Sequence, residues 1–476
     1  MNGSCYNLLE QLKRLGGDSL LYALMTVGTK LIAFFMLPVY ILYLGAEEIG
    51  VMENIDALTS MLTFVVIFGT DSALAFYYFD TKDEALKKRH VQHVLMFRLL
   101  VSCLLLLIGV IAGKLLSNII LGTDKYVELI HIAFIVLVLE SIITLVLTYF
   151  RYEFFTKKVV FYTVLKLALA ALLSFLFLKY WMAEVNVVYY ARALGAILII
   201  IFVLPYIKRF ITFKIDMKLM KEILAYAAPL VPASTAFWVI SSSNRFFLSH
   251  YETLAHVGIY GVAVKFATVI TLLTSSFQMA WRPYTMSIKE RPDAKNIFAK
   301  VYIIVLAGGM LGLLGIATFI PYILRWMIGN PDFYEASHYI TVLSLGTFLN
   351  FYYLIISVGL FIKKETKTIS VYFGIAAVIS IVLNIILIPL LSIWGAVLAV
   401  VISYLFACIV IFIKSQSVYR VPVSIKKLLL LFITGVISML SIVYIQEYST
   451  LNTFYIIIPW LFYLAIVGVT VIPRKY

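Results

Sequence analysis

Long apolar runs separated by short polar breaks recur along the whole chain, at about 20–44, 48–79, 91–113, 127–150, 159–178, 187–207, 222–245, 256–281, 299–326, 337–362, 368–390, 394–413, 428–446 and 452–472. Each reaches about the ~20 residues that a helix needs to cross hydrocarbon, and the longer ones predict tilted helices. Isolated strands would leave backbone groups unpaired in lipid, so every run is predicted to be a helix. The pattern defines an all-α integral membrane protein of about 14 transmembrane helices.

The polar breaks add a direction. If the N-terminus is cytoplasmic, 28 Lys and Arg residues fall in connections on the inner side and 4 (Lys114, Lys125, Lys179 and Arg325) on the outer side. Missing one span would mix the two sets, so the bias supports the count as well as the orientation. Both termini are expected to be cytoplasmic. The first run, Leu20 to Leu44, is too long for a signal-peptide core and is read as an uncleaved span. The outer connections are short and leave no room for an outer domain. The inner ones at 81–90, 208–221 and 415–427 are basic or mixed, as contact with anionic headgroups requires.

Composition agrees, with 63% hydrophobic and 13% charged residues and a mean hydropathy of +1.02. A water-soluble fold is excluded. The net charge of +14 is spread over short loops rather than gathered in one domain, so no nucleic-acid partner is expected. Cys5, Cys103 and Cys408 form no CxxC pair and predict neither disulfide nor metal site. No Walker loop is present, and no cofactor is expected.

A weak repeat appears at a shift of about 208 residues, where Tyr43 and Ile49-Gly50-Val51 face Tyr251 and Val257-Gly258-Ile259. It suggests two six-helix lobes, 1–210 and 211–415, with two further helices in 416–476.

Ionisable groups inside spans are costly unless they snorkel, pair or line a wet cavity. The cations are Lys30, Lys265, Arg98, Lys166, Arg192 and Arg245; the anions are Asp56, Asp71 and Glu140. Arg98, Lys166, Arg192 and Arg245 lie nearer span ends and could reach headgroups. Lys30 is about ten residues deep, some ~15 Å of helix rise, too far for one side chain to cover. It is expected to face a cavity or an acid, and Lys265 similarly. Asp71 and Glu140 could be counter-ions or could couple ions. Six cations against three anions leave positive charge in excess, which suits a lipid-linked pyrophosphate.

Other features carry less. Gly308-Gly309, Gly312 and Gly315 read as a close-packing helix face, and Pro38, Pro229 and Pro232 as kinks in the first and seventh spans. His90 and His93 read as a solvated face rather than a metal pair, and Asn350 and Asn384 as hydrogen bonds to neighbouring helices.

Several stretches stand out along the chain: Leu44-Gly45-Ala46-Glu47-Glu48-Ile49-Gly50, Gly69-Thr70-Asp71-Ser72-Ala73 with Phe76-Tyr77-Tyr78, and Ala228-Pro229-Leu230-Val231-Pro232. Ser243-Asn244-Arg245-Phe246-Phe247-Leu248, Val257-Gly258-Ile259-Tyr260 and Phe277-Gln278-Met279-Ala280-Trp281-Arg282-Pro283 continue the series. Together they resemble the Wzx-type polysaccharide flippases of the MATE-like exporter superfamily. The resemblance implies a two-lobe, V-shaped bundle around a cationic cavity. It implies a flippase that moves undecaprenyl-pyrophosphate-linked oligosaccharide across the bacterial cytoplasmic membrane by alternating access, beside glycosyltransferases and a polysaccharide polymerase. In the related lipid II flippases, cations on helices 1 and 8 line the cavity, and Lys30 and Lys265 occupy those helices. Asn244 stands where similar sequences often have Asp. A MATE-type multidrug antiporter would share the fold but prefer acids in its cavity; a membrane-embedded polymerase or ligase would present a longer outer loop.

Overall fold

The computed structural model describes residues 2–211, 216–448 and 453–471, with no strand among them. The chain divides into two compact units, residues 1–235 and 236–476.

The first unit comprises α1 (Asn2–Tyr43), α2 (Ala46–Ile67), α3 (Thr70–Asp80), α4 (Glu84–Leu121), α5 (Val127–Tyr152), α6 (Thr156–Tyr180), α7 (Val185–Lys208) and α8 (Met217–Ala227). A short 3₁₀ turn, Ala228–Leu230, leads into α9 (Val231–Ser242), within which the boundary falls. The second unit continues with α10 (Asn244–Tyr251), α11 (Leu254–Ala267), α12 (Ile270–Ile288), α13 (Ala294–Met327), α14 (Ala336–Ile356), α15 (Val358–Ile362), α16 (Thr366–Leu391), α17 (Ile393–Val418), α18 (Ile425–Tyr448) and α19 (Ile457–Val471).

Eleven helical segments among the described residues are long and apolar enough to cross a membrane. The remaining predicted spans, 222–245, 256–281 and 452–472, fall on shorter or interrupted helices: α8 through α10, α11 with α12, and α19. Fourteen spans are compatible with this arrangement. The lipid-facing surface has a helical period. On α4, Leu100, Leu104, Leu107, Ile108, Ile111, Leu115 and Ile119 are exposed, while Val91, Val94, Leu95, Arg98 and Ser102 are buried. A wholly apolar stripe turned outward, with Arg98 and Ser102 on the buried side, is the reverse of a soluble helix. This is a multi-pass membrane protein.

In the first unit, Val94 and Leu95 of α4 pack with Ile143, Val146 and Phe150 of α5 and Ile199, Val203 and Ile207 of α7. In the second, α14 is central, packing on α11, α13 and α17, and α18 and α19 lie against α13.

Breaks within spans follow from local chemistry. Phe68 and Gly69 both take the left-handed conformation (φ 46° and 69°) and separate α2 from α3. A Cβ on Gly69 would stand 2.7 Å from the carbonyl oxygen of Ala227, so glycine is required by conformation and by the approach of α8. Pro38 lies within α1, while Pro229 sits in the 3₁₀ turn between α8 and α9. The expected glycine face on α13 narrows to one residue: a Cβ on Gly309 would clash with the Phe348 ring, whereas Gly308, Gly312 and Gly315 have nothing within 4 Å. The sequence shift also has a structural counterpart, since α2 begins at Ala46 and α11 at Leu254, and each is followed by a break and a second helix.

Candidate functional site

Among the described residues, polar groups of the first unit pair within the spans at Arg98–Asp71, Lys166–Glu140 and Arg192–Asp56. After the break at Gly69, α3 restarts with Asp71 in its first turn, where the helix dipole favours an anion. Arg98 of α4 reaches it at 2.6 Å and also donates to the Thr70 hydroxyl, at 2.8 Å from Nη2 and 3.1 Å from Nε. Tyr152 of α5 donates to the Asp71 carbonyl at 2.7 Å. Arg98 is 1% exposed, and its Nη1 has no partner among the described residues.

Lys166 of α6 meets Glu140 of α5 at 2.5 Å. Arg192 of α7 forks onto both carboxylate oxygens of Asp56 on α2, at 2.5 and 3.2 Å, and its guanidinium lies 4.6 Å from the Tyr189 ring centroid. The Tyr189 hydroxyl donates to the same carboxylate at 2.8 Å. Two-pronged geometry and an aromatic face are the contacts that suit arginine and not lysine. In all three pairs the acid is the more exposed member: 37% against 1% at Asp71 and Arg98, 36% against 20% at Glu140 and Lys166, and 36% against 26% at Asp56 and Arg192. Arg98, Lys166 and Arg192 therefore point to carboxylates rather than to headgroups.

One buried acid escaped the sequence reading. Glu53 of α2 is 3% exposed. It stands one turn before Asp56, a spacing that puts both on one helix face, and this spacing was the available signal. Its neighbour Asn54 is fully buried, with neither amide atom partnered among the described residues. With Glu53 included, the span interiors of the first unit hold four anions, Glu53, Asp56, Asp71 and Glu140, against four cations, Lys30, Arg98, Lys166 and Arg192.

The second unit is different. Its acids, Glu252, Glu290, Asp293, Asp332, Glu335, Glu365 and Glu447, all lie in connections or at helix ends. Its span interiors hold Arg245 and Lys265. Arg245 is 8% exposed, with its guanidinium 5.8 Å from the Tyr260 ring centroid and a 3.4 Å hydrogen bond donated to the Ser241 carbonyl. Lys265 is half-buried near the end of α11, just before the break at Thr268 and Val269. Neighbouring Asn244 is fully buried and donates to the Ala396 carbonyl at 3.5 Å. Lys30, half-buried on α1, belongs to the first unit. The positive excess expected from the sequence thus resides in the second unit.

Two expectations are corrected. His90 and His93 are each 3% exposed, not on a solvated face, because α8 and its capping residue Asp216 pack against the start of α4. His93 Nδ1 bonds the Arg89 carbonyl at 2.7 Å, and its Nε2 accepts from the Asp216 backbone N–H at 2.8 Å, which fixes the neutral ring with the proton on Nδ1. His90 stacks on Tyr77 at 5.4 Å. Asn384 bonds not to a neighbouring helix but to Ser380 one turn back on its own, at 2.8 Å. Among the described residues no three His, Cys, Asp or Glu side chains converge as metal ligands.

Asp216 itself caps α8, accepting from the backbone N–H groups of Leu219 and Lys218, and pairs with Arg89 at 2.8 Å. Those backbone donors first, and then the arginine, hold its carboxyl below the usual carboxylate range.

The fold is that of the MATE-like exporters. It is similar to the lipid II flippase MurJ in its inward closed conformation, with a TM-score of 0.69 and 17% identity over 94% of this chain and 98% of that one. It is also similar to an inward-facing multidrug resistance MATE family transporter of the MOP superfamily, at 0.59 and 19% over 83% and 94%. The Vibrio cholerae MATE transporter VcmN follows at 0.58 and 12% over 86% and 97%. No curated protein matches the sequence. The model of the polysaccharide biosynthesis protein family matches residues 15–289, more than half of the chain, and the protein belongs to that family.

Proposed function

We propose that this protein is a flippase for an undecaprenyl-pyrophosphate-linked oligosaccharide repeat unit. It would work by alternating access in the bacterial cytoplasmic membrane, with both termini inside, in the synthesis of O-antigen, capsule or exopolysaccharide. The observation that carries this reading is where the charges fall along the chain: the second unit places Arg245 and Lys265 inside spans and its acids in connections or at helix ends, while Arg98, Lys166 and Arg192 of the first unit pair with Asp71, Glu140 and Asp56. Arg245 and Lys265, together with Lys30, are the proposed contacts for the pyrophosphate. Charge-assisted hydrogen bonds to phosphate oxygens strengthen where water is scarce. Arg98, Lys166 and Arg192 would act with Asp71, Glu140 and Asp56 as a supporting frame whose carboxylates couple ions or keep the helices in register. A cationic drug would have to displace a bound lysine or arginine from each of those acids, which speaks against the multidrug reading. Glycosyltransferases that build the repeat unit and a polymerase that consumes it are the expected neighbours.

The test is complementation of a strain lacking this protein, with surface polysaccharide and membrane abundance measured together. Lys30→Ala and Lys265→Ala should abolish polymer while the protein stays in the membrane. Normal polymer in both variants would remove these residues from the site.

A further inference from the structure

The ends of three spans in the second unit, α13, α14 and α18, enclose a small pocket of about 40 Å³. Its lining includes Pro321 and Arg325 of α13, Ser337, His338 and Thr341 of α14, and Gln446 of α18. The wall is more polar than apolar, unlike the apolar cavities beside α12 and α19. Ser337 and His338 stand one turn before Thr341 on one face of α14, and Pro321 one turn before Arg325 on one face of α13.

Basic side chains reach this pocket from two helices, and no acid lines it. Arg325 is exposed, its guanidinium held 5.7 Å from the Tyr334 ring centroid, and it forms no ion pair among the described residues. Arg98, Lys166 and Arg192 each hold a carboxylate; Arg325 holds none. Glu335, the acid just before α14, accepts instead from the Tyr339 hydroxyl. The Ser337 hydroxyl is donated to the Tyr334 carbonyl at 2.7 Å, and the Gln446 amide to the Thr318 carbonyl at 2.9 Å, which fixes α18 against α13. Thr341 is 1% exposed, and its hydroxyl has no partner among the described residues. Ser337 and His338 lie in the first turn of α14, where the helix dipole adds to the preference for negative charge.

Depth and size narrow the ligand. Span ends lie at the level of the lipid headgroups, where phosphate is the abundant anion. A water needs ~10–15 Å³ of such space, so the pocket takes about three groups of that size, the oxygens of one phosphate. A polar wall does not suit a hydrocarbon chain, and two basic side chains do not suit a cation.

We propose that this pocket binds a phosphate group. The planar fork of Arg325 pairs with two of its oxygens, and His338 donates to another. The group comes either from free phosphate or from a phospholipid headgroup, and when bound it ties the ends of α13 and α14 beside α18. None of the residues proposed to contact the pyrophosphate takes part, so this site is independent of the transport reading.

Two measurements on the purified full chain test the site and separate the sources. In a neutral detergent, sodium phosphate should raise the melting temperature of wild type by a few degrees over sodium chloride at equal ionic strength. Arg325→Gln should abolish that difference, and Arg325→Lys, which keeps the charge and loses the fork, should leave part of it. If the ligand is a headgroup, phosphate has no such effect. Protein released from phosphatidylcholine discs holding a minor fraction of phosphatidylglycerol should then retain phosphatidylglycerol by native mass spectrometry, with Arg325→Gln retaining several-fold less. Wild type and both variants that behave alike in both measurements would overturn the proposal. So would chloride as effective as phosphate together with equal retention of the two lipids, since the pocket then holds only water.

Discussion

Arg98 and Asp71 lie on different helices, 27 residues apart in sequence, and meet at 2.6 Å with the arginine almost wholly buried. The guanidinium thereby ties α4 to the first turn of α3, immediately after the break that bends the second span. Removing the acid strands the buried guanidinium out of water. Asp71→Asn is expected to lower stability by about 3–5 kcal/mol, whereas replacing both groups by apolar residues of similar size should recover much of the loss. Thermal unfolding of the purified single and double variants checks this. A single variant as stable as wild type would show that the pair contributes little.

At Lys265 the expected discrimination is by charge. Lys265→Arg should keep most polymer export, and Lys265→Gln should lower it roughly tenfold or more, the loss of a single charge-assisted phosphate contact. Surface polysaccharide per membrane-embedded protein is the measurement. Equal export by the glutamine and arginine variants would mean that charge at this position is not used.

Gly69→Ala tests the break between α2 and α3. The alanine must take a left-handed conformation and push its methyl towards the Ala227 carbonyl, 2.7 Å away. A loss of roughly 1–3 kcal/mol is expected, read as a lower melting temperature in detergent. An unchanged melting temperature would mean that α8 moves aside freely.

Asp216 predicts an acid response confined to one helix. Its carboxyl is held below the usual range in the folded protein by the amides it caps. The stabilisation is therefore fully present above the unfolded carboxylate value of ~4 and is lost as pH falls through the lower folded value. Protection of the capped α8 amides of Lys218 and Leu219, taken relative to their intrinsic exchange rates, should be lower in Asp216→Ala than in wild type at neutral pH, and should fall in wild type only in acid. Protection that is the same in the two proteins at neutral pH would contradict the cap.

The membrane class and the span pattern were legible before any coordinates, because hydropathy is a local property: a run such as 127–150 commits itself to lipid whatever its neighbours do. The charged positions could be named for the same reason, since a lysine or aspartate inside such a run is visible as an exception. Their partners could not. Asp56 and Arg192 are 136 residues apart, and Glu140 could have answered Lys30, Arg98 or Lys166 equally well until helix packing set α5 beside α6. His90 and His93 read as solvated because nothing in their own segment announces that α8 and its cap Asp216 pack against them. Glu53, two turns into α2, is as buried as the histidines. Sequence alone determined which segments enter the membrane and how much charge they carry there. Tertiary structure decided which charges neutralise one another, because pairing depends on distances between helices that no local pattern encodes.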